Sequence, residues 1–351
     1  MTARMDQLRA KLREAGLDGI FTSKPGNIRY LCGATGTACE LLVTLDDAVL
    51  LSNWVDITEN AETAQDVVHG RRSNPAADAA AAVKARKLKR VALEAHVLPQ
   101  AQYAAYAAAM PDVELVPTSG LIERLRWVKD EDEIALIEKG MRINEEACRY
   151  VVEHAREGIS EFELAAGAEH AMRSAGADGL AFLIVQFGEN AAKPHHRHSP
   201  RTLRKGDFIL LDIGAVCSGY GSDTTRTFIF SEASKRQQQV YATVLEAQLA
   251  TLAALKAGMT GAQAHEPSAA IIAEAGYANY YGHGVGHGIN EGPSLRPGSA
   301  DVLAPGNVVT VEPGIYVPNW GGVRIEDTVV ITDSGYRNLA TFPKELQVIG
   351  A

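Results

Sequence analysis

Gly206-Asp-Phe-Ile-Leu-Leu-Asp212-Ile-Gly214-Ala-Val-Cys-Ser-Gly-Tyr-Gly-Ser-Asp223-Thr-Thr-Arg-Thr-Phe228 is the stretch on which the reading of the whole chain turns. Phe208 to Leu211 is a short apolar run of the kind found in buried strands, and a second strand-like run starts after the turn. The Gly and Ser residues between the two runs spell a turn, so the stretch predicts a hairpin. Each strand carries one acid: Asp212 ends the first run and Asp223 opens the second. An unpaired charge in a buried strand is costly, so the two carboxylates must be protonated, hydrogen-bonded or bound to a cation. Taken alone, the hairpin also allows a plainer reading, in which both acids serve turns beside Gly214 and Gly221.

The choice is made outside the hairpin. A shift of one hundred residues lays the second half of the chain on the first: Gly158-Ile-Ser160 answers to Gly258-Met-Thr260, and Ala175-Gly176 to Ala275-Gly276. Gly206-Asp-Phe-Ile-Leu-Leu-Asp212-Ile-Gly214 answers to Gly306-Asn-Val-Val-Thr-Val-Glu312-Pro-Gly314. Both copies read helix, helix, strand and a strand ending in an acid, which predicts two pseudo-symmetric halves of one domain. Asp212 and Glu312 are then equivalent positions, placed to face each other across a pseudo-twofold axis.

Two further stretches supply donors. Val323-Arg-Ile-Glu326-Asp327-Thr-Val-Val sets another acid in an apolar strand, as Asp223 is set in the first copy. Gly282-His283-Gly-Val-Gly-His287-Gly288 holds two imidazoles close to the backbone. Its glycines invite a nucleotide reading, but the third Gly of the dinucleotide fingerprint is out of register. Four carboxylates and one His make an oxygen-rich donor set that suits a pair of Mn, Co, Zn or Fe ions. Such a pair polarises a carbonyl, as in dinuclear aminopeptidases.

The ordered set Leu-Asp212-Ile-Gly-Ala, Ser-Asp223-Thr-Thr-Arg-Thr, Gly-His283-Gly-Val-Gly-His287-Gly, Val-Glu312-Pro-Gly-Ile-Tyr and Val-Arg-Ile-Glu326-Asp resembles the metallopeptidases with the pita-bread fold. That group includes prolidase, aminopeptidase P and methionine aminopeptidase. The resemblance implies Asp212, Asp223, His287, Glu312 and Glu326 as ligands of two divalent ions, manganese first. Asp223 then binds one ion, Asp212 and Glu326 are shared, and Glu312 also handles the proton of the attacking water. Asn27-Ile-Arg-Tyr-Leu-Cys-Gly33 and the α/β pattern around it are similar to the proline-specific branch. In that branch the loop Asn190-Ala-Ala-Lys-Pro194-His195-His196 implies His195 beside the substrate, and His283 matches a second substrate-side imidazole. Tyr316 and Arg324 match residues lining the site; Tyr316 also reads as a core aromatic and Arg324 as an ion-pair partner of the acids. One departure stands out. The branch continues after the metal His with a segment like Gly-Leu-x-Val-His-Glu, whereas this chain reads His287-Gly-Ile-Asn290-Glu291-Gly-Pro. Asn290 stands where a third His is expected, as a substrate-side amide that cannot take a proton.

The implied activity is a metal-dependent exopeptidase acting on Xaa-Pro bonds of small peptides, first of all a Xaa-Pro dipeptidase. Aminopeptidase P action, a proline-directed carboxypeptidase and a catalytically dead binding module are the alternatives. The expected fold is an α/β N-terminal domain of the creatinase/prolidase kind over residues 1–125, followed by an α+β pita-bread domain over 126–351 with a pseudo-twofold internal repeat. Length agrees with two domains: 351 residues are long for one core. A net charge of -9 argues against a nucleic-acid or acidic-membrane partner. Neither a signal peptide nor an apolar run long enough to span a bilayer is read. The four cysteines fit reduced thiols. A cytoplasmic protein is therefore expected, and the resemblance implies a homodimer. His69, His96, His154, His170 and His265 read as structural or surface histidines, and His196 and His198 as solvated loop residues.

Overall fold

The structure, a computed structural model, describes residues 2–350. It divides into two compact units, Met1–Arg126 and Trp127–Ala351.

In the first unit the strands are short, the central ones largely apolar, and alternate side chains point to opposite faces. Six of them form one sheet in the order Val68–Arg71, Ala48–Ser52, Cys39–Thr44, Gly19–Thr22, Arg90–Glu94, Glu114–Thr118. The centre is antiparallel, and both flanks are parallel. Ile20, Leu41 and Val43 pack on one face against Met5, Leu8 and Leu12 of the helix Thr2–Glu14. Phe21, Leu42 and Leu93 pack on the other against Val83, Tyr106 and Met110. A sheet covered on both faces explains why the strands Gly19–Thr22, Cys39–Thr44 and Ala48–Ser52 are buried along their whole length.

The second unit opens with the helix Glu131–His154, started by a capping box between Asp130 and Glu133. The strands Gly179–Phe187, Phe208–Cys217 and Thr224–Phe230 follow as neighbours in one sheet, with Val348–Ile349 added at its edge. Val308–Val311, Asp327–Ile331 and Tyr336–Asn338 make the corresponding sheet of the second copy.

The repeat is geometric as well as sequential. Helices Glu161–Ser174 and Gly261–Glu274 start one hundred residues apart, each with a capping box, Ser160 with Glu163 and Thr260 with Gln263. Ahead of each, the N–H of Gly158 donates to the Leu203 carbonyl at 2.9 Å and that of Gly258 to the Leu303 carbonyl at 2.8 Å. Gly206 and Gly306 both hold positive φ, 79° and 85°, a conformation that a side chain would strain. One difference separates the copies. The first-copy strand does not end at Asp212 as expected but runs on to Cys217, because Ile213 to Val216 keep their pairing with the strand Gly179–Phe187. In the second copy Pro313, which lacks an N–H, follows Glu312, and the chain leaves the sheet for a separate hairpin, Gly314–Val317 with Gly321–Arg324. Among the described residues no helix is long and apolar enough to cross a membrane.

Candidate metal centre

Asp212 sits in mid-strand opposite Thr225 on one side and Ile184 on the other, so strand pairing alone fixes it. Asp223 lies at the end of the turn, its carbonyl accepting from the Thr328 hydroxyl at 2.8 Å. Glu326 is anchored by its N–H to the Thr225 carbonyl at 3.1 Å. Asp212, Asp223 and Glu326 thereby offer ligand atoms that all lie within 4.8 Å of one another. Glu312 and His287 close the group: the His287 Nε2 stands 3.3 Å from Glu312 Oε1 and 3.6 Å from Asp223 Oδ2. The Thr310 hydroxyl fixes both, accepting from the His287 N–H at 3.0 Å and donating to Glu312 Oε1 at 3.0 Å.

Crowding of like charges in a buried place disfavours ionisation. Burial, reinforced by Glu326, Asp212 and Glu312, pushes the Asp223 carboxyl far above its ordinary range. Glu326 is raised in the same way, by burial and then by Glu312 and Asp212. Burial carries Glu312 to about 7, with Arg324 opposing the shift and Asp212 adding to it. Arg324 is the cation set among these acids. Its Nη2 donates to Asp212 Oδ2, its Nη1 to the Tyr316 hydroxyl at 3.0 Å and its Nε to the Thr225 hydroxyl at 2.9 Å.

Three observations fit this group to divalent metal. Four carboxylates share one close guanidinium. The Thr225 hydroxyl has a single proton for two carboxylate oxygens, Asp212 Oδ1 at 3.0 Å and Glu326 Oε2 at 2.8 Å. Glu326 Oε1 is buried with no hydrogen-bond partner, a costly state for an acid unless a cation takes it. The ring orientation of His287 agrees, because its Nδ1 faces the Gly288 carbonyl at 3.3 Å, which leaves Nε2 as the lone-pair nitrogen toward the acids.

A cavity of about 900 Å³ opens over the group. Asp212, Asp223, His287 and Glu312 reach its wall, as do His195, His283, Tyr316 and Arg324. Tyr316 is buried as a core aromatic and lines the cavity too, and Arg324 is both the ion-pair partner of Asp212 and a lining residue. His283 has both ring nitrogens engaged. The Gly284 carbonyl, 2.7 Å from Nδ1, can only accept, so Nδ1 carries the proton and Nε2 accepts from the Tyr316 hydroxyl at 2.9 Å. Burial keeps this imidazole neutral by lowering it to about 4, against the pull of its bond to Gly284. A directed chain of hydrogen bonds thus runs from Arg324 through Tyr316 and His283 to Gly284.

Asn290 is not brought into the cavity. Its amide exchanges two bonds with the backbone of Gly221, accepting from the N–H at 2.8 Å and donating to the carbonyl at 2.9 Å. Both ends of the amide are engaged on the turn that leads into Asp223. Asn290 itself sits at φ 51°, a conformation an amide side chain tolerates better than most. Phe182, Ile184, Tyr280 and Arg296 also line the cavity and were missed by sequence reasoning. Phe182 and Ile184 were legible only as strand residues, and their side of the sheet follows from pairing to Asp212. His265 behaves as a structural histidine, its Nδ1 accepting from the Val285 N–H at 3.1 Å and so steadying the Gly-rich segment.

A second acidic group, Glu94, His96 and Glu123, lies in the first unit. Asn27 donates to both acids, at 2.6 and 2.9 Å, and Lys24 pairs with Glu123 at 3.1 Å. Against burial, Asn27, its own amide, His96 and Lys24 hold Glu123 down to about 2. Its Oε1 is met by Asn27, Lys24 and His96, while Glu123 Oε2 and Glu94 Oε2 are, like Glu326 Oε1, buried without a hydrogen-bond partner.

The comparisons agree with this architecture. The sequence profile of metallopeptidase family M24 matches residues 135–333, and that of the creatinase/prolidase N-terminal domain matches residues 4–128. The chain belongs to metallopeptidase family M24, and its fold is the α/β plus pita-bread α+β arrangement of that group. It is 32% identical to a Xaa-Pro dipeptidase of Pyrococcus furiosus over 99% of this chain and 100% of that one. Among solved structures it superposes on a Xaa-Pro dipeptidase from Bacillus anthracis with a TM-score of 0.96 at 36% identity, covering 99% of both chains. It superposes on an X-Pro aminopeptidase from Thermotoga maritima with a TM-score of 0.90 at 31% identity, covering 97% of this chain and 100% of that one.

Proposed function

We propose that the protein is a metal-dependent exopeptidase that hydrolyses the bond preceding proline in small peptides, a Xaa-Pro dipeptidase. The observation that carries this is the convergence of buried, under-compensated carboxylates from both copies of the repeat on the floor of one cavity, in a chain similar over its whole length to proteins of that name. Asp212, Asp223, His287, Glu312 and Glu326 are the residues that would hold two divalent ions, with manganese the first choice and cobalt, zinc or iron the others. Bound there, such ions supply Lewis-acid polarisation of a peptide carbonyl and of water.

The rest is done by side chains. Glu312, raised to about 7 in the bare site, is matched to accept a proton near neutral pH at the oxygen that faces His287. His195 and His283 orient the peptide from the cavity wall, His283 as a neutral ring held by Tyr316. Arg324 holds Asp212 in place. With Asn290 turned to Gly221, selection of the peptide end falls to the cavity wall, where Arg296 offers a cation for a terminal carboxylate. The functional protein is taken as a cytosolic homodimer, to be checked by fractionation and analytical ultracentrifugation.

Hydrolysis of a peptide panel with two, three and five residues, each with free or blocked ends, tests the assignment in metal-loaded and chelated protein. Metal-dependent cleavage of free Xaa-Pro dipeptides is expected. No cleavage of any Xaa-Pro peptide, or binding of less than about one divalent ion per chain, sinks it. Likeness to the Thermotoga X-Pro aminopeptidase favours a second reading, aminopeptidase P action, which is recognised by cleavage of the three- and five-residue peptides at their free N-terminal end.

A further inference from the structure

His195 is carried on the segment between Phe187 and Arg201, which has only one short helical turn, Gly188–Ala192, to stiffen it. Two wholly buried side chains hold this segment. Glu161 is the first residue of the helix Glu161–Ser174. Its Oε1 accepts from the Phe187 N–H at 2.7 Å and from Asn190 Nδ2 at 3.0 Å, and its Oε2 from the Ser199 N–H at 2.8 Å and the Ser199 hydroxyl at 2.6 Å. One carboxylate therefore fastens both ends of the segment. Gln186 fastens the middle: its Nε2 donates to the Lys193 carbonyl at 2.8 Å and to the His196 carbonyl at 2.8 Å, bracketing His195.

The internal repeat provides the control for what Glu161 is for. Position 261 in the second copy is Gly. Both helix starts make the same backbone ties, Glu161 to Arg201 and Phe162 to Ser199 in one copy, Gly261 to Asp301 and Ala262 to Ser299 in the other. Both have a complete capping box. The second copy thus starts its helix without an acid, and a Cβ at 261 would come within 1.9 Å of the Ser294 carbonyl. A carboxylate at 161 is not required to begin the helix. What it adds is the grip on the segment that presents His195 to the cavity.

We propose that Glu161 and Gln186 are positioning residues that hold His195 in place for the reaction, an assignment that rests on the peptidase function proposed above. Neither touches the cavity wall among the described residues, so each acts through the loop. Charge-assisted bonds of this kind are stronger than neutral ones, and a reacting group displaced by about 1 Å can cost 100-fold in rate.

The test is a double-mutant cycle on metal-loaded protein. Glu161→Gln keeps the volume but turns one acceptor into a donor facing other donors, and Gln186→Met removes both bonds to the loop. Each is expected to lower kcat/KM for a Xaa-Pro dipeptide by about tenfold or more, with metal content unchanged. The loss is expected in the same parameter, kcat or KM, that His195→Ala affects. On a His195→Ala background the same changes are expected to cost less than about twofold. Equal losses on both backgrounds, or no loss on the parent, overturn the proposal. Trypsin gives a readout independent of catalysis: cleavage after Arg197 is expected to rise about fivefold or more in both variants, and an unchanged rate also overturns it. Ser199→Ala, which deletes only the hydroxyl bond to Glu161, serves if Glu161→Gln fails to fold. An inactive parent enzyme with the expected trypsin pattern would count against the peptidase function and leave the loop-holding role standing.

Discussion

Arg226→Met is the change whose cost is most directly worked from the structure. Arg226 is 2% exposed, and its guanidinium donates to Asp327 Oδ1 at 2.9 Å and to the carbonyls of Phe342 at 2.7 Å, Pro343 at 3.0 Å, Thr225 at 3.0 Å and Glu326. Methionine keeps the stem and removes every donor. Asp327 keeps its charge partner, because Lys344 stays on Oδ2 at 2.7 Å with Asn338 at 2.9 Å and Gln248 at 3.1 Å, while Oδ1 loses Arg226. The Thr225 carbonyl keeps the Glu326 N–H, and Pro343 is exposed to water. The buried Glu326 carbonyl loses the Arg226 donor. Removing one partner of a buried pair costs about 3–5 kcal/mol, and the help from Lys344 puts this case at the lower end, about 3 kcal/mol. For a unit of about 225 residues that corresponds to a fall in Tm of about 6–12 °C. Circular-dichroism melts of chelated protein at neutral pH measure it free of metal binding. Arg226→Lys, which keeps the charge without the planar fork, is expected between the two. A melt for Arg226→Met within about 2 °C of the parent would refute the reasoning.

Asp223→Asn is expected to abolish metal-dependent cleavage while the chelated fold survives; elemental analysis and a melt check it, and full activity with full metal content would remove Asp223 from the ligand set. Chelated protein is expected to be more stable at pH 5 than at pH 8. Glu312, raised from 4.5 to about 7 by burial, contributes stability that is present below its unfolded pKa and lost as the pH rises through about 7, and the shift corresponds to about 3 kcal/mol. Glu312→Gln is expected to make that curve shallower, with the raised Asp223 and Glu326 still contributing, and a flat curve in the chelated parent contradicts the crowding of charge. Phe187→Ala, at a fully buried position, is expected to cost about 3–5 kcal/mol in denaturant titration. Burial raises the thiols of Cys32, Cys39, Cys148 and Cys217, so a disulfide reagent at pH 8 is expected to label almost none before unfolding and all four after it.

The repeat was legible because it is written in residues whose reasons are local: glycines that must adopt positive φ, capping pairs at helix starts and acids in apolar runs. Those signals lie at equal offsets in both copies, so Asp212 and Glu312 could be paired without coordinates. What was not legible is what depends on partners distant in sequence. Asn290 bonds to Gly221, sixty-nine residues earlier, and nothing in its own segment announces an amide turned to a backbone. Arg226 reads as a polar residue of a strand, but a guanidinium with five acceptors waiting can be almost fully buried. Glu161 reads as an ordinary first-turn acid, and its second use appears only where the 188–200 segment folds back over it. Asp212 reads as the end of a strand because a charge usually stops an apolar run; the pairing of Ile213 to Val216 carries the strand past it.

The division of the acids between the two copies has a consequence for how the protein is made. Asp212 and Asp223 leave the ribosome about one hundred residues ahead of Glu312 and Glu326, which complete the group. At about 5–20 residues per second, the earlier pair spends seconds as a half-built nest with nothing to hold an ion firmly. With the proposed ligand set, firm metal binding is expected only after translation of the second copy, and a nascent chain halted before Glu326 is expected to hold an ion only weakly.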